Sequence, residues 1–62
     1  MTIDFIPRVM QTADGRFAAY FHVHTPGRPG STPRGWRILS HYREAYEEAV
    51  RLAEAAKARA GK

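Results

Sequence analysis

The sequence predicts an α+β protein, in which a three-stranded antiparallel sheet packs on one C-terminal amphipathic helix in the order β-β-β-α. Two N-terminal segments alternate between apolar and polar residues, as half-buried strands do. The C-terminal part instead repeats its apolar residues with helical spacing. We expect strands at residues 3–11, 16–25 and 35–39 and a helix at 41–60, within a single domain spanning 1–62.

The first two strands are predicted to form a hairpin. Phe5 and Val9 lie on one side of the first strand, and Pro7, which lacks an N–H donor, indicates an edge strand. Asp14-Gly15 then favours a turn, because glycine accepts a positive φ at little cost. The interruption is longer than two residues, which leaves a bulge open at this point.

The second and third strands supply most of the predicted core. One face of the second strand is uniformly apolar and is therefore expected to face the helix, with Phe17, Ala19, Phe21 and Val23. In the third strand, Trp36 and Ile38 share a face, and Trp36 is expected to anchor the core against the helix. The predicted core of the sheet comprises Phe5, Val9, Phe17, Phe21, Val23, Trp36 and Ile38, packed on helix residues that include Ala49 and Ala53.

Residues 26–35 form a predicted loop, and a helix follows the third strand. The loop contains three Pro and three Gly in ten residues, which is turn chemistry without periodicity. Ser40 or His41 is the expected N-cap of the helix. Glu44, Glu47 and Glu48 are expected on its solvated face.

Composition and local motifs argue against several classes of function. The chain has no cysteine, so it forms neither disulfides nor thiolate metal sites, and we expect a cytoplasmic location. No apolar run approaches the roughly 18 residues of a membrane span, so no membrane partner is expected. His22 and His24 share one side of a strand but lack further metal ligands. We find no nucleophile motif or paired carboxylates, and therefore expect no enzyme activity, cofactor or small-molecule substrate.

The second sheet face is the predicted functional surface, because one helix covers only one side. Strand alternation places basic, aromatic and imidazole groups there, and the loop adds two arginines. Such a mixture favours nucleic acid, DNA or RNA, since arginine contacts phosphates and aromatic rings stack or hydrogen-bond. The predicted nucleic-acid-binding residues are Arg8, Tyr20, His22, His24, Arg28, Arg34 and Arg37.

Two alternatives stay open for this face. Polar outward residues are the rule in antiparallel sheets, so the face is also compatible with an ordinary solvated surface. It is equally compatible with a protein partner or with self-association, as in an antitoxin-like module or a homodimeric adaptor. A net charge of +4, with ten Lys and Arg against six Asp and Glu, suits an anionic partner but does not decide between them.

Two families share this order of motifs. Gly15, the aromatic segment 17–21, Trp36 and Glu44-Ala45 resemble the arm-site DNA-binding domains of phage-type tyrosine recombinases. That resemblance implies a sheet inserted in the major groove, with Arg8, Tyr20, His22 and Arg37 facing DNA. Asp14-Gly15, Pro26-Gly27 and Glu47-Glu48-Ala49 are similar to the N-terminal module of HicB-type antitoxins, which implies a protein partner.

Overall fold

The computed structural model describes residues 3–60 and has the predicted architecture. Three strands, β1 (Asp4–Gln11), β2 (Phe17–His24) and β3 (Thr32–Leu39), precede one helix, α1 (Tyr42–Ala60). The strands form an antiparallel sheet in the order β1-β2-β3. The predicted β-β-β-α fold is confirmed.

Five residues, 12–16, join β1 to β2 in a tight turn. The Gly15 N–H donates to the Thr12 carbonyl at 3.1 Å, and Gly15 adopts a φ of 89°. This is the combination of a turn and a left-handed glycine that a longer hairpin loop requires. Hydrogen bonds from the Thr12 hydroxyl and then from Arg16 lower the pKa of the Asp14 carboxyl. The ionised carboxylate therefore stabilises the turn that sets the register of the hairpin.

Both edge strands carry a proline. β1 and β3 lie at the two sides of the sheet, with β2 between them. Pro7 is in β1 and Pro33 is in β3. Neither residue has an N–H to give to a ladder, so both are tolerated at an edge and not in the centre. The edge position predicted from Pro7 is confirmed.

β3 is longer than predicted and contains a bulge. It begins at Thr32 instead of residue 35. The loop between β2 and β3 therefore spans residues 25–31, whereas residues 26–35 were expected to form it. Ala19 pairs with Arg37 and Phe21 with Arg34, which leaves both Gly35 and Trp36 opposite Tyr20. Gly35 has a φ of 75°, typical of the glycine in a bulge.

The bulge reverses the predicted faces of the end of β3. One extra residue exchanges the side to which every following side chain points. Trp36 and Ile38 therefore lie on the face away from α1, where they are 51% and 48% exposed. Arg37 and Leu39 lie on the helix side instead. The prediction that Trp36 and Ile38 belong to the core is wrong.

The core is built from small helix residues against β2. Its buried members are Ala19, Phe21, Ala45, Ala49 and Ala53. The three helix alanines recur every four residues, which brings the backbone of α1 close to the sheet. Phe5 lies 6.2 Å from Phe21 between ring centroids, and Phe17 is half-buried against Tyr42. The predicted burial of Phe21, Ala49 and Ala53 is confirmed.

α1 also carries one ion-pair cluster that the sequence pattern misplaced. Glu48 is only 12% exposed, because it lies between Arg37 of β3 and Arg51 of the helix. Its carboxylate oxygens are 3.1 Å from Arg37 Nε and 2.9 Å from Arg51 Nη1. The solvated position predicted for Glu48 is therefore wrong.

Within residues 3–60, no helix combines the length and apolar character needed to cross a bilayer.

Candidate functional site

The candidate site is the sheet face that α1 leaves uncovered, here called the open face. Strand pairing defines its members, because directly opposed residues of neighbouring strands point to the same side. The open face comprises Asp4, Ile6, Arg8 and Met10 of β1, Ala18, Tyr20, His22 and His24 of β2, and Pro33, Trp36 and Ile38 of β3.

An aromatic row occupies the centre of the open face. The rings of Tyr20 and Trp36 stack across β2 and β3, with centroids 4.4 Å apart and planes inclined by 17°. His22 contacts the other side of this pair, with its ring edge-on to Tyr20 at 5.3 Å. The bulge at Gly35 brings the indole opposite Tyr20, so the row exists because β3 is irregular at that point.

Polar groups lie beside the aromatic row. Arg8 pairs directly with Tyr20 on the β1 side and is exposed. His22 Nδ1 is 2.7 Å from the Ser31 hydroxyl, a contact that ties the loop 25–31 to the face. A shallow depression of about 480 Å³ has Ile6, Arg8, Tyr20, His22 and Ser31 along its walls. A cation, an imidazole and a ring are therefore available to one ligand.

Apolar side chains border the aromatic row near the hairpin end. Met10 and Ile38 flank Ala18 on the two neighbouring strands, and Ala18 is buried between them. Met10 itself is 50% exposed, and Ile6 is also exposed. The open face is therefore more apolar than alternation predicted, because the bulge brings Trp36 and Ile38 to it.

The seven predicted binding residues divide into three groups. Arg8, Tyr20, His22 and His24 lie together on the open face, as predicted. Arg28 lies in the loop 25–31 and is exposed. Arg34 and Arg37 are not on this face.

Two different features of β3 place the two misplaced arginines on the helix side. β3 extends farther than predicted, so Arg34 belongs to the strand and is opposite Phe21. It lines a groove there with Phe5, Ala56 and Arg59. Past the bulge, Arg37 lies on the helix side, where it pairs with Glu48 while its side chain stays largely exposed, and it does not share a face with Arg8.

Trp36 is a member of the open face that alternation does not predict. A signal for its true position is the preceding residue, because a glycine inside a strand pattern often marks a bulge. Gly35 is that glycine. A Cβ at this position would lie 2.8 Å from Phe21 Cε1, so the backbone approaches the core ring closely.

Neither metal geometry nor similarity to known proteins adds to this picture. Among residues 3–60, no three His, Cys, Asp or Glu side chains converge where an ion could be held. His24 Nδ1 lies 4.0 Å from Asp4 Oδ2, and His22 contacts Ser31, so these two histidines have separate neighbours. No protein family, curated protein or solved structure matches the chain. The open face is therefore the observation from which function has to be argued.

Proposed function

We propose that this chain is a small non-enzymatic binding module whose open face binds nucleic acid. The observation that carries the proposal is the exposed stack of Tyr20 and Trp36 beside Arg8. Aromatic rings offer surfaces for bases, and a guanidinium contacts phosphate oxygens. One ligand with both chemistries matches this combination better than an apolar surface alone would.

The net charge of the chain, +4, suits an anionic ligand. Among the members of the open face, the formal charges are those of Arg8 and Asp4, and Asp4 lies beside His24. Arg8 is therefore the cation of this face that can contact a phosphate. The loop residue Arg28 lines a separate depression with Val23, Thr32 and Arg34, whose strand positions lie on the helix side. We place this activity in the cytoplasm, because a chain without cysteine has no disulfides that require an oxidising compartment.

The test is the salt dependence of oligonucleotide binding in an arginine variant. Arg8→Gln should weaken binding similarly for all sequences and reduce the slope of log affinity against log salt by about one. Arg43→Gln removes the same charge from α1 and is the matched control, with a smaller expected effect. Fluorescence anisotropy with labelled DNA and RNA at two salt concentrations measures both. Lack of binding at micromolar protein, or identical behaviour of the two variants, contradicts the proposal.

A second candidate is a protein interface on the same face. Its support is the exposure of Ile6, Met10 and Ile38, because monomers rarely expose contiguous apolar patches. Binding through such a surface depends little on salt, whereas phosphate binding weakens steeply. Sedimentation over a range of protein concentrations would detect the homodimeric form of this candidate. A dimer closed through the open face would be disrupted by Ile38→Glu.

A further inference from the structure

We infer that the open face takes single-stranded nucleic acid, with an unpaired base stacking on Trp36, in preference to a duplex. The inference rests on the proposed function and narrows it to one class of ligand. It follows from three features of the face: the free side of the indole, the absence of two arginines from the face, and the position of Arg8.

The indole of Trp36 has room for another ring. Tyr20 covers one side of it in a nearly parallel stack. β3 is an edge strand, so among the described residues no further strand covers the other side. The side chain remains 51% exposed despite its stack. A base can therefore extend the series of rings from Tyr20 and Trp36, as bases do on aromatic residues of single-strand-binding proteins.

The surroundings of the stack suit bases better than a duplex backbone. In a duplex the base faces are already stacked, and the protein meets phosphates and groove edges. A sheet that docks on a duplex needs cations across its width, but Arg34 and Arg37 lie on the helix side. On the open face, exposed apolar side chains, those of Trp36, Ile38 and Met10, lie where these cations would be needed. Unpaired bases, in contrast, bring exposed ring faces to such a surface.

Arg8 defines the direction in which a strand would cross. It lies on β1, and Trp36 lies on β3, with Tyr20 between them. Neighbouring strands are about 4.8 Å apart, so the two residues are separated by about 10 Å across the sheet. A nucleotide whose base stacks on Trp36 can thus direct its chain over Tyr20 toward the guanidinium of Arg8.

The chain contains one tryptophan, so its fluorescence reports on this site when it is excited at wavelengths that the three tyrosines do not absorb. The experiment titrates the full chain with a single-stranded oligonucleotide, the duplex of the same sequence, and an abasic strand of equal length. We expect saturable quenching by the single strand and at least about tenfold weaker binding of the duplex. The abasic strand should bind more weakly and leave the fluorescence unchanged, because it offers phosphates without rings.

Two substitutions at Trp36 separate stacking from folding. Trp36→Leu should lower single-strand affinity by about tenfold, measured by anisotropy, whereas Trp36→Phe keeps a ring and should retain most of the affinity. Tyr46→Leu is the matched control, because it removes an aromatic residue that is 48% exposed on α1. Circular dichroism checks that each variant is folded.

The outcomes distinguish this inference from the function on which it rests. Equal or tighter duplex binding, absence of quenching, or unchanged affinity in Trp36→Leu overturns the single-strand preference while nucleic-acid binding stands. Absence of binding to every oligonucleotide overturns both. A salt-insensitive dimer that buries Trp36 also overturns both, and would establish the open face as a protein interface.

Discussion

The two faces of the sheet receive apolar side chains of different sizes. On the helix-covered face, the buried residues are Ala19 and Phe21, which meet alanines of α1. On the open face, the chain exposes Trp36, Ile38 and Met10. The largest ring in the protein thus contributes little to the core, whose most buried positions are alanines and Phe21, with Val9, Phe17 and Leu39 packed around them.

This difference shows where packing constrains the sequence and where it does not. A helix that approaches a sheet through alanines leaves space for few large groups, so Phe21 has a central role in the core. The open face buries only Ala18, yet it holds a stacked aromatic pair. Exposed large apolar groups gain nothing from solvent, so their presence on the open face supports the proposal that this face binds a partner.

The largest expected effect comes from truncating the core ring. Phe21→Ala removes a ring that is 6% exposed and should lower the free energy of unfolding by about 3–5 kcal/mol. In a domain of this size such a loss is enough to unfold much of the population. Urea denaturation followed by circular dichroism measures it, with Phe21→Leu as a milder variant that should remain folded.

Trp36→Ala is the matched truncation on the other face. It removes a larger ring, but one that is half exposed, so the loss should be dominated by the stack with Tyr20, about 0.5–1.5 kcal/mol. Similar losses for Trp36→Ala and Phe21→Ala would contradict the contrast between the faces.

An intermediate effect, smaller than that of Phe21→Ala, is expected at the bulge that divides β3. Gly35→Ala adds a Cβ at a φ of 75°, where a left-handed conformation costs about 1–2 kcal/mol, and brings it against the Phe21 ring. Gly30→Ala is the control, since Gly30 has a similar φ of 80° with nothing within 4 Å of the added atom. Denaturation of both variants should show the greater loss for Gly35→Ala. Equal losses would mean that the ring yields freely and that the bulge is not fixed by the core.

The smallest expected change in stability concerns Arg37, which was predicted on the open face and lies on the helix side. Arg37 and Glu48 should be coupled by about 0.2–1 kcal/mol, because the pair is partly exposed. A double-mutant cycle with Arg37→Gln and Glu48→Gln measures this coupling. If the coupling is absent and Arg37→Gln instead weakens oligonucleotide binding as much as Arg8→Gln, then Arg37 belongs to the binding surface after all.

The sequence predicted the regular parts of the fold and the part of the site that lies on them. β1, β2 and α1 follow from unbroken periodicity, and Arg8, Tyr20, His22 and His24 are correctly placed because β1 and β2 pair without a shift. Alternation does not predict the faces of β3. It assumes that successive residues point to opposite sides of the sheet, whereas Gly35 and Trp36 together oppose the single residue Tyr20.

The same break accounts for the errors in the site. The sequence assigns Trp36 to the core as a large apolar ring, and alternation then places Arg37 on the opposite face. Both assignments assume unbroken alternation, which a single bulged residue reverses. Arg34 is predicted to lie in the loop because Pro and Gly are frequent in residues 26–35, although Pro33 is compatible with the edge strand in which both residues lie.

The prolines at both edges bear on how this protein behaves at high concentration. An unprotected edge strand can recruit a strand from a second molecule and then a third, which is the route to fibrils. Pro7 and Pro33 each interrupt the row of donors that such recruitment uses. A molecule that displays a hydrophobic surface is thereby discouraged from growing by sheet extension. The contacts left to it are those made through a face, which close with one partner instead of propagating without limit.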